Sequence, residues 1–493
     1  MRIVQVSSEA VPFAKTGGLA DVVGALSKSL AELGHEVTLI LPNYSRFVSR
    51  CGAAIEPAGE PFDISIGERW VRVHLKTTTL PGSRVPVVLV DIPEFFDRDG
   101  IYQEPTTKAD YPDNAERFIA FCRAAMEVIA RWQLKPDVVQ AHDWQTGLVP
   151  AMLKAQYQQW VPDLTRTAAI LTVHNMAFQG AYPSDAMPLT GLGWEFFNWK
   201  QLECWGLLNL LKSGIVFADL INTVSPTYSR EIQTSEFGHG LDGVLRDRES
   251  DLSGILNGID PHEWSPATDS LLPARYDVDS LDSGKAECKR ALQRKLELPW
   301  RPDVPLFGMV SRMTWQKGFD LIGATADRLL DRDVQVVFLG NGQPEYELMC
   351  RELAAAHPHK VRTVIGYDES LAHWIEAGVD IFLMPSKFEP CGLNQMYSMA
   401  YGTPPIVRAT GGLADSVIGA TPETLIAGTA TGFSFQQHTA DEYWQQLDWS
   451  LKLFADKPVW RRIQRAGMTH DWSWNHSACE YISLYERAIT KLG

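Results

Sequence analysis

Arg312 and Lys317 lie close together in "RMTWQKG", and Glu389 sits in "SKFEPCGL". In a chain with a formal net charge of −15, such a local pair of cations could neutralise a bound diphosphate. Each charge-assisted hydrogen bond would contribute roughly 1.5–3 kcal/mol. Glu389 precedes a helix expected to begin near Gly392. It could cap that helix, bind sugar hydroxyls or meet a developing positive charge. The six residues TGGLAD occur twice, at 16–21 and 410–415. Adjacent glycines let backbone N–H groups approach a ligand closely, and the following helix aims its N-terminal dipole at the same spot. Each copy therefore reads as an anion cradle, with Lys15 adding a cation beside the first. His142 and His174 each follow a strand-like run. A lone histidine is more often a satisfied structural residue than a catalyst, but His174 has Asn175 beside it and stands at a strand end.

These residues need elements to hold them. Short, β-branched, unalternating runs recur at 2–6, 36–42, 85–91, 137–142, 168–173 and 219–224, then at 305–311, 334–340, 361–366, 380–385 and 404–407. Such runs are expected of parallel strands buried on both faces. Helical patterns separate them. In residues 20–34, for example, Val22, Val23, Leu26, Leu30 and Leu33 fall on one stripe, and Gly34 stands where a left-handed cap belongs. Two series of βαβ units imply two doubly wound domains, assigned to 1–250 and 251–476, with an amphipathic helix at 477–493. Ligands of doubly wound sheets bind beyond the carboxyl ends of the strands. The motifs "SSEAVPFAKTGG", "HDWQTG", "HNMAFQG", "RMTWQKG", "SKFEPCGL" and "RATGGLAD" all lie there.

The acidic balance argues against nucleic acid and membrane as partners. The seven scattered cysteines include no Cys-x-x-Cys pair, so a disulfide framework or structural zinc is not expected. No secretory leader is visible. The most apolar stretch, 207–221, is broken by Lys212 and Asp219 and is too short to span a bilayer. A cytoplasmic location follows, with a plastid stroma open should a transit peptide have been removed. Neither G-x-S-x-G nor H-E-x-x-H is present. "LGNGQPE" has Glu345 where a dinucleotide loop needs its third glycine. The Asp-x-Asp pairs at 97/99, 277/279 and 331/333 read as surface charges.

Taken together, "KTGGLADVVGAL", "TVHNMAFQG", "SPTYSREI", "LNGID", "VSRMTWQKGFDLI", "PSKFEPCGLNQMYSMAYGTPPIVRATGGLADSV" and "WSW" resemble bacterial glycogen synthases and plant or cyanobacterial starch synthases along essentially the whole chain. The resemblance implies an α/β GT-B fold: two Rossmann-like domains with an interdomain cleft, the final helix crossing back to the N-terminal domain. It implies a retaining glucosyltransferase that moves glucose from ADP-glucose to the non-reducing end of an α-1,4-glucan and releases ADP. No cofactor and no metal are expected. By resemblance, the catalytic set is Lys15, His174, Arg312, Lys317 and Glu389. The donor side adds Gly18, Asn257, Tyr367 (toward adenine), Cys391, Gly392 and Thr410. Gly411, Gly412 and Leu413 form the backbone cradle of the second domain. Glu9, Asp21, His142 and Asp143 lie on the acceptor side. The chain departs from the family at Lys387, where arginine is common, and lysine lacks the planar two-point contact. Competing readings are a GT-B enzyme using UDP-glucose, a phosphorylase dependent on pyridoxal phosphate, and a catalytically silent glucan-binding protein. Oligomeric state is not legible.

Overall fold

In the computed structural model, which describes residues 1–493, every one of the unalternating apolar runs forms a strand. Contacts divide the chain into two units, Met1–Asn257 together with Trp474–Gly493, and Gly258–Ser473. The first unit is built on a ten-stranded sheet. Its parallel part runs Leu252–Gly254, Leu220–Thr223, Ala168–Val173, Val138–His142, Arg2–Val6, Glu36–Pro42 and Pro86–Asp91. Arg69–Thr79 then pairs antiparallel with Pro86–Asp91, Phe62–Ile66 and Glu56–Pro57. The sequence reading passed over this antiparallel edge because its residues alternate. Phe62, Ile64 and Ile66 are buried while Asp63 and Ser65 are exposed, the signature of a strand with one solvated face.

The second unit carries a six-stranded, wholly parallel sheet in the order Val361–Ile365, Gln335–Gly340, Leu306–Val310, Ile381–Met384, Pro405–Arg408 and Phe433–Phe435. The last strand, three residues long, was too short to register in the sequence.

The expected boundary at 250 moves to 257, because Leu252–Gly254 pairs with Leu220–Thr223 and so belongs to the first sheet. The returning segment begins at Trp474 rather than 477. The helix Trp474–Lys491 buries Trp474, Tyr481, Leu484, Tyr485 and Ala488 in the core of the first unit. There it packs with Val22, Leu26 and Leu30 of the helix Gly18–Glu32. Gly34 ends that first helix in the left-handed region, φ +93°, the conformation expected of a C-cap glycine. All seven cysteines are free, and no helix is long and apolar enough to cross a membrane.

Candidate active site

In the second unit the site grows from two strand-to-helix loops. After Leu306–Val310 the chain makes a tight turn, Trp315–Lys317, and enters the helix Phe319–Leu330 through Gly318. Gly318 has φ +80°, and a Cβ there would run into the Pro385 carbonyl, so only glycine fits. The loop is held from the side by the "LGNGQPE" stretch. The Met313 N–H donates to the Asn341 carbonyl at 2.8 Å and the Gln343 N–H to the Met313 carbonyl at 2.8 Å. The Trp315 N–H donates to Gln343 Oε1 at 2.9 Å. The Gly-x-Gly that looked like a weak dinucleotide motif is therefore a clasp for the Arg312–Lys317 loop.

That clasp presents two cations in different states. Lys317 Nζ contacts Glu389 Oε2 at 2.5 Å, with side-chain exposures of only 17% and 10%. Ser386 Oγ donates to the same oxygen at 3.1 Å. The Arg312 side chain is exposed and pairs with no carboxylate. With Lys317 paired to Glu389 and Arg312 uncompensated, the loop has one net positive charge to offer an anion. Lys387 lies with Nζ 5.0 Å from the centre of the Trp315 ring. There it makes a cation–π contact that needs no planar fork.

The second TGGLAD is closely packed. A Cβ at Gly411, φ +44°, would collide with the Glu389 carbonyl, and one at Gly412 would collide with the Cys391 carbonyl. The Gly412 N–H donates to the carbonyls of Glu389 at 3.2 Å and Pro390 at 3.0 Å, and the Leu413 N–H to Thr410 at 3.0 Å. In the second TGGLAD the amides of Gly412 and Leu413 bond to the chain itself. Its glycines serve close packing, which sets the carbonyl side of the Glu389–Pro390–Cys391 loop, with Cys391 buried. Thr410 is buried, Gly392 sits in the left-handed region at φ +72°, and Tyr367 is 80% exposed.

The first TGGLAD behaves otherwise. A Cβ on Gly17 or Gly18 would meet nothing within 4 Å, so packing does not demand glycine, and the open backbone is what these residues provide. Glu9, expected on the acceptor side, anchors this turn. Its carboxylate accepts from the Thr16 N–H, from Thr16 Oγ1 at 2.7 Å and from Tyr102 OH at 2.5 Å. Burial pushes the Glu9 carboxyl up against the opposing pull of those donors. Lys15 Nζ bonds Asp21 Oδ1 at 2.7 Å, and burial raises Asp21 despite the neighbouring ammonium. Asn257, at the end of the first unit, is buried with its Oδ1 unpaired.

His142 and His174 form a buried pair, Nδ1 to Nε2, at 3.0 Å. Burial drives His142 well below its ordinary range and lowers His174 to about 3, so both rings are neutral at physiological pH. Asp143 adopts φ +56° and accepts the His174 backbone N–H on Oδ1 at 2.7 Å. Burial raises Asp143 to about 7. Because its folded pKa lies above the ordinary value of about 3.9, folding takes up a proton there, and stability falls as pH climbs from about 4 to about 7. Asp143→Asn keeps the acceptor and, with nearly the same side-chain shape, leaves the backbone there as it is. It is expected to flatten that slope and raise the melting temperature at pH 8 by several degrees. Calorimetry across pH checks this, and a lower melting temperature at pH 8 would contradict it.

Other expected or overlooked residues have plain placements. Asp97 and Asp99 pair with Arg46, and Asp333 with Arg301, in line with the surface-charge reading. Tyr102, Ser386 and the strand residues Gln5, Gln140, Thr172 and Asn222 were missed. The strand residues left one usable signal, a polar residue inside an otherwise apolar run.

Residues 2–247 match the family model described as starch synthase catalytic domain, and residues 293–459 the one described as glycosyl transferases group 1. The chain is 46% identical over 494 residues to glycogen synthase 1 of Methylococcus capsulatus, covering 99% of this chain and 97% of that protein. It is 43% identical to glycogen synthase of Geotalea daltonii, covering the whole of both. Its fold matches the catalytic domain of starch synthase IV from Arabidopsis thaliana, solved bound to ADP and acarbose, with TM-score 0.90, 33% identity and 99% coverage of both chains. With two Rossmann-like units, an acidic residue paired to a loop lysine, and this likeness over its full length, the chain belongs to the glycogen and starch synthase family of GT-B glycosyltransferases.

Proposed function

We propose that the protein transfers glucose from ADP-glucose to the non-reducing end of an α-1,4-glucan, with retention of configuration and release of ADP. The arrangement that carries this reading is the loop of the second unit, where Arg312 is unpaired and Lys317 is held by Glu389. As the bond to the sugar breaks, negative charge grows on the departing diphosphate. Fixed cations aimed at that charge stabilise the transition state more than the ground state. The anomeric carbon becomes positively polarised, as in other glycosyl transfers, and Glu389 supplies the nearby negative charge. We favour front-face attack within the ion pair, since Glu389 is occupied by Lys317 and Ser386 and is poorly freed to act as a nucleophile. The reaction as proposed needs no metal, and the free cysteines suit a reducing compartment such as the cytoplasm.

Labelled ADP-glucose incubated with a malto-oligosaccharide primer, followed by separation of chain lengths, tests the reading. A ladder growing by single glucoses, faster than with UDP-glucose and unaffected by chelator, is expected. Preference for UDP-glucose, growth at the reducing end, or loss of rate on chelation restored by magnesium would overturn it.

A further inference from the structure

Behind His174 runs a chain of hydrogen bonds with a single sense. The adjacent strands place its members in register: Gln5 opposite Gln140, His142 opposite Thr172, and Thr172 opposite Asn222. At the far end, Asn222 Nδ2 reaches the backbone carbonyl of Thr223 at 3.4 Å and Tyr481 OH at 3.1 Å. A carbonyl can only accept, so this end of the Asn222 amide is the donor and Oδ1 faces the other way. Thr172 Oγ1 donates to that Oδ1 at 2.6 Å and accepts from Gln140 Nε2 at 2.5 Å. Gln140 Oε1 therefore faces Gln5, accepting from its Nε2 at 2.9 Å and also from Tyr485 OH. Tyr485 OH accepts in turn from Gln5 Nε2 at 3.2 Å.

Gln5 is thus held with Oε1 toward His142, 2.6 Å from Nε2. An amide oxygen only accepts, so His142 carries its proton on Nε2 and its Nδ1 is bare. That bare nitrogen, 3.0 Å from His174 Nε2, requires a proton on the latter. A neutral imidazole holds one proton. His174 Nδ1 is left as an acceptor, with no partner in the chain and not sealed from solvent.

We propose that Asn222, Thr172, Gln140, Gln5 and His142, braced by Tyr481 and Tyr485 of the returning helix, are positioning residues that fix His174 in the Nε2–H tautomer, so that its Nδ1 accepts a hydrogen bond from a hydroxyl of the sugar substrate. The identity of the substrate rests on the transfer reaction proposed above, whereas the tautomer does not. The arrangement suits a neutral acceptor. Low basicity keeps the ring from taking the hydroxyl's proton, and the relay keeps it from presenting an N–H instead.

The test uses full-length protein with 15N-labelled histidine and no substrate, so that its outcome is independent of the transfer reading. Multiple-bond proton–nitrogen spectra separate bare from protonated ring nitrogens, and the His174 signals are identified by their loss in His174→Asn. The expected result is a bare Nδ1 and a protonated Nε2. Two isosteric variants break the relay, Thr172→Val at its centre and Tyr485→Phe at its brace. In each, the second tautomer is expected to become visible, with kcat reduced about tenfold, the size of one neutral hydrogen bond to the sugar, and donor KM little changed. A protonated Nδ1 in the unaltered protein overturns the proposal. So does a single unchanged tautomer in both variants, whatever their activity. Mixed tautomers with unchanged kcat would overturn the assignment of Nδ1 to the sugar. Failure of ADP-glucose to react, with the stated tautomer intact, would fault the transfer reading and leave the relay standing.

Discussion

Lys317→Ala is expected to lower kcat by roughly 10²–10³-fold, the usual loss when one preorganised donor to transition-state charge is removed. The donor KM should change less, because in the proposed reaction Arg312 is left to meet the ground-state diphosphate. The variant has a second effect that must be separated from the first. Lys317 and Glu389 are paired at 2.5 Å and largely shielded from water, and deleting one member of such a pair leaves the other uncompensated, typically a loss of about 3–5 kcal/mol. A lower melting temperature is therefore expected as well. The double variant Lys317→Met with Glu389→Gln removes both charges together. It should recover most of the lost stability and none of the lost rate. Steady-state kinetics and calorimetry on the three proteins decide the matter. Near-normal turnover in Lys317→Ala would take the lysine out of the chemistry. Recovery of rate in the double variant would show that the single change acted through folding alone.

Ending the chain at Ser473 is expected to abolish the folded first unit altogether. The lost helix buries Trp474, Tyr481, Leu484, Tyr485 and Ala488. A fully buried large apolar side chain contributes about 1.5–3 kcal/mol, so the four large residues together match the whole stability of a typical domain, about 5–15 kcal/mol. The polar relay fares no better, since Asn222 and Gln140 would lose the tyrosine hydroxyls that satisfy them. Limited proteolysis should then cut freely within residues 1–257, and transfer activity should be absent. A truncated chain that melts at the temperature of the intact one would refute this.

The sequence revealed what depends on local pattern. Both parallel sheets were legible from unalternating apolar runs, and the motif loops from their position after strands, because a buried parallel strand and its ligand-binding end leave their mark within ten residues. The strand Arg69–Thr79 and its partners escaped because they obey the other period. The identical letters at Gly17–Gly18 and Gly411–Gly412 hid opposite uses. Whether a glycine faces open space or a neighbouring carbonyl depends on residues far away in the chain, here Glu389 to Cys391. The partners of Glu9 and His142, Thr16 and Tyr102 for one and Gln5 for the other, come together only through the fold. Likewise nothing near Tyr485 announces that it will bind Gln140, 345 residues earlier in the chain.

The first unit is written at both ends of the chain. At about 5–20 residues per second, a ribosome needs roughly 10–45 s to make the intervening unit. Throughout that interval the opening 257 residues wait beside it without their closing helix. The half that is begun first is therefore completed last, after Gly258–Ser473 has had time to fold. The apolar strip that Trp474, Leu484 and Tyr485 will cover stays bare until residues 474–491 have been made, and exposed apolar surface of that kind invites aggregation in the interval.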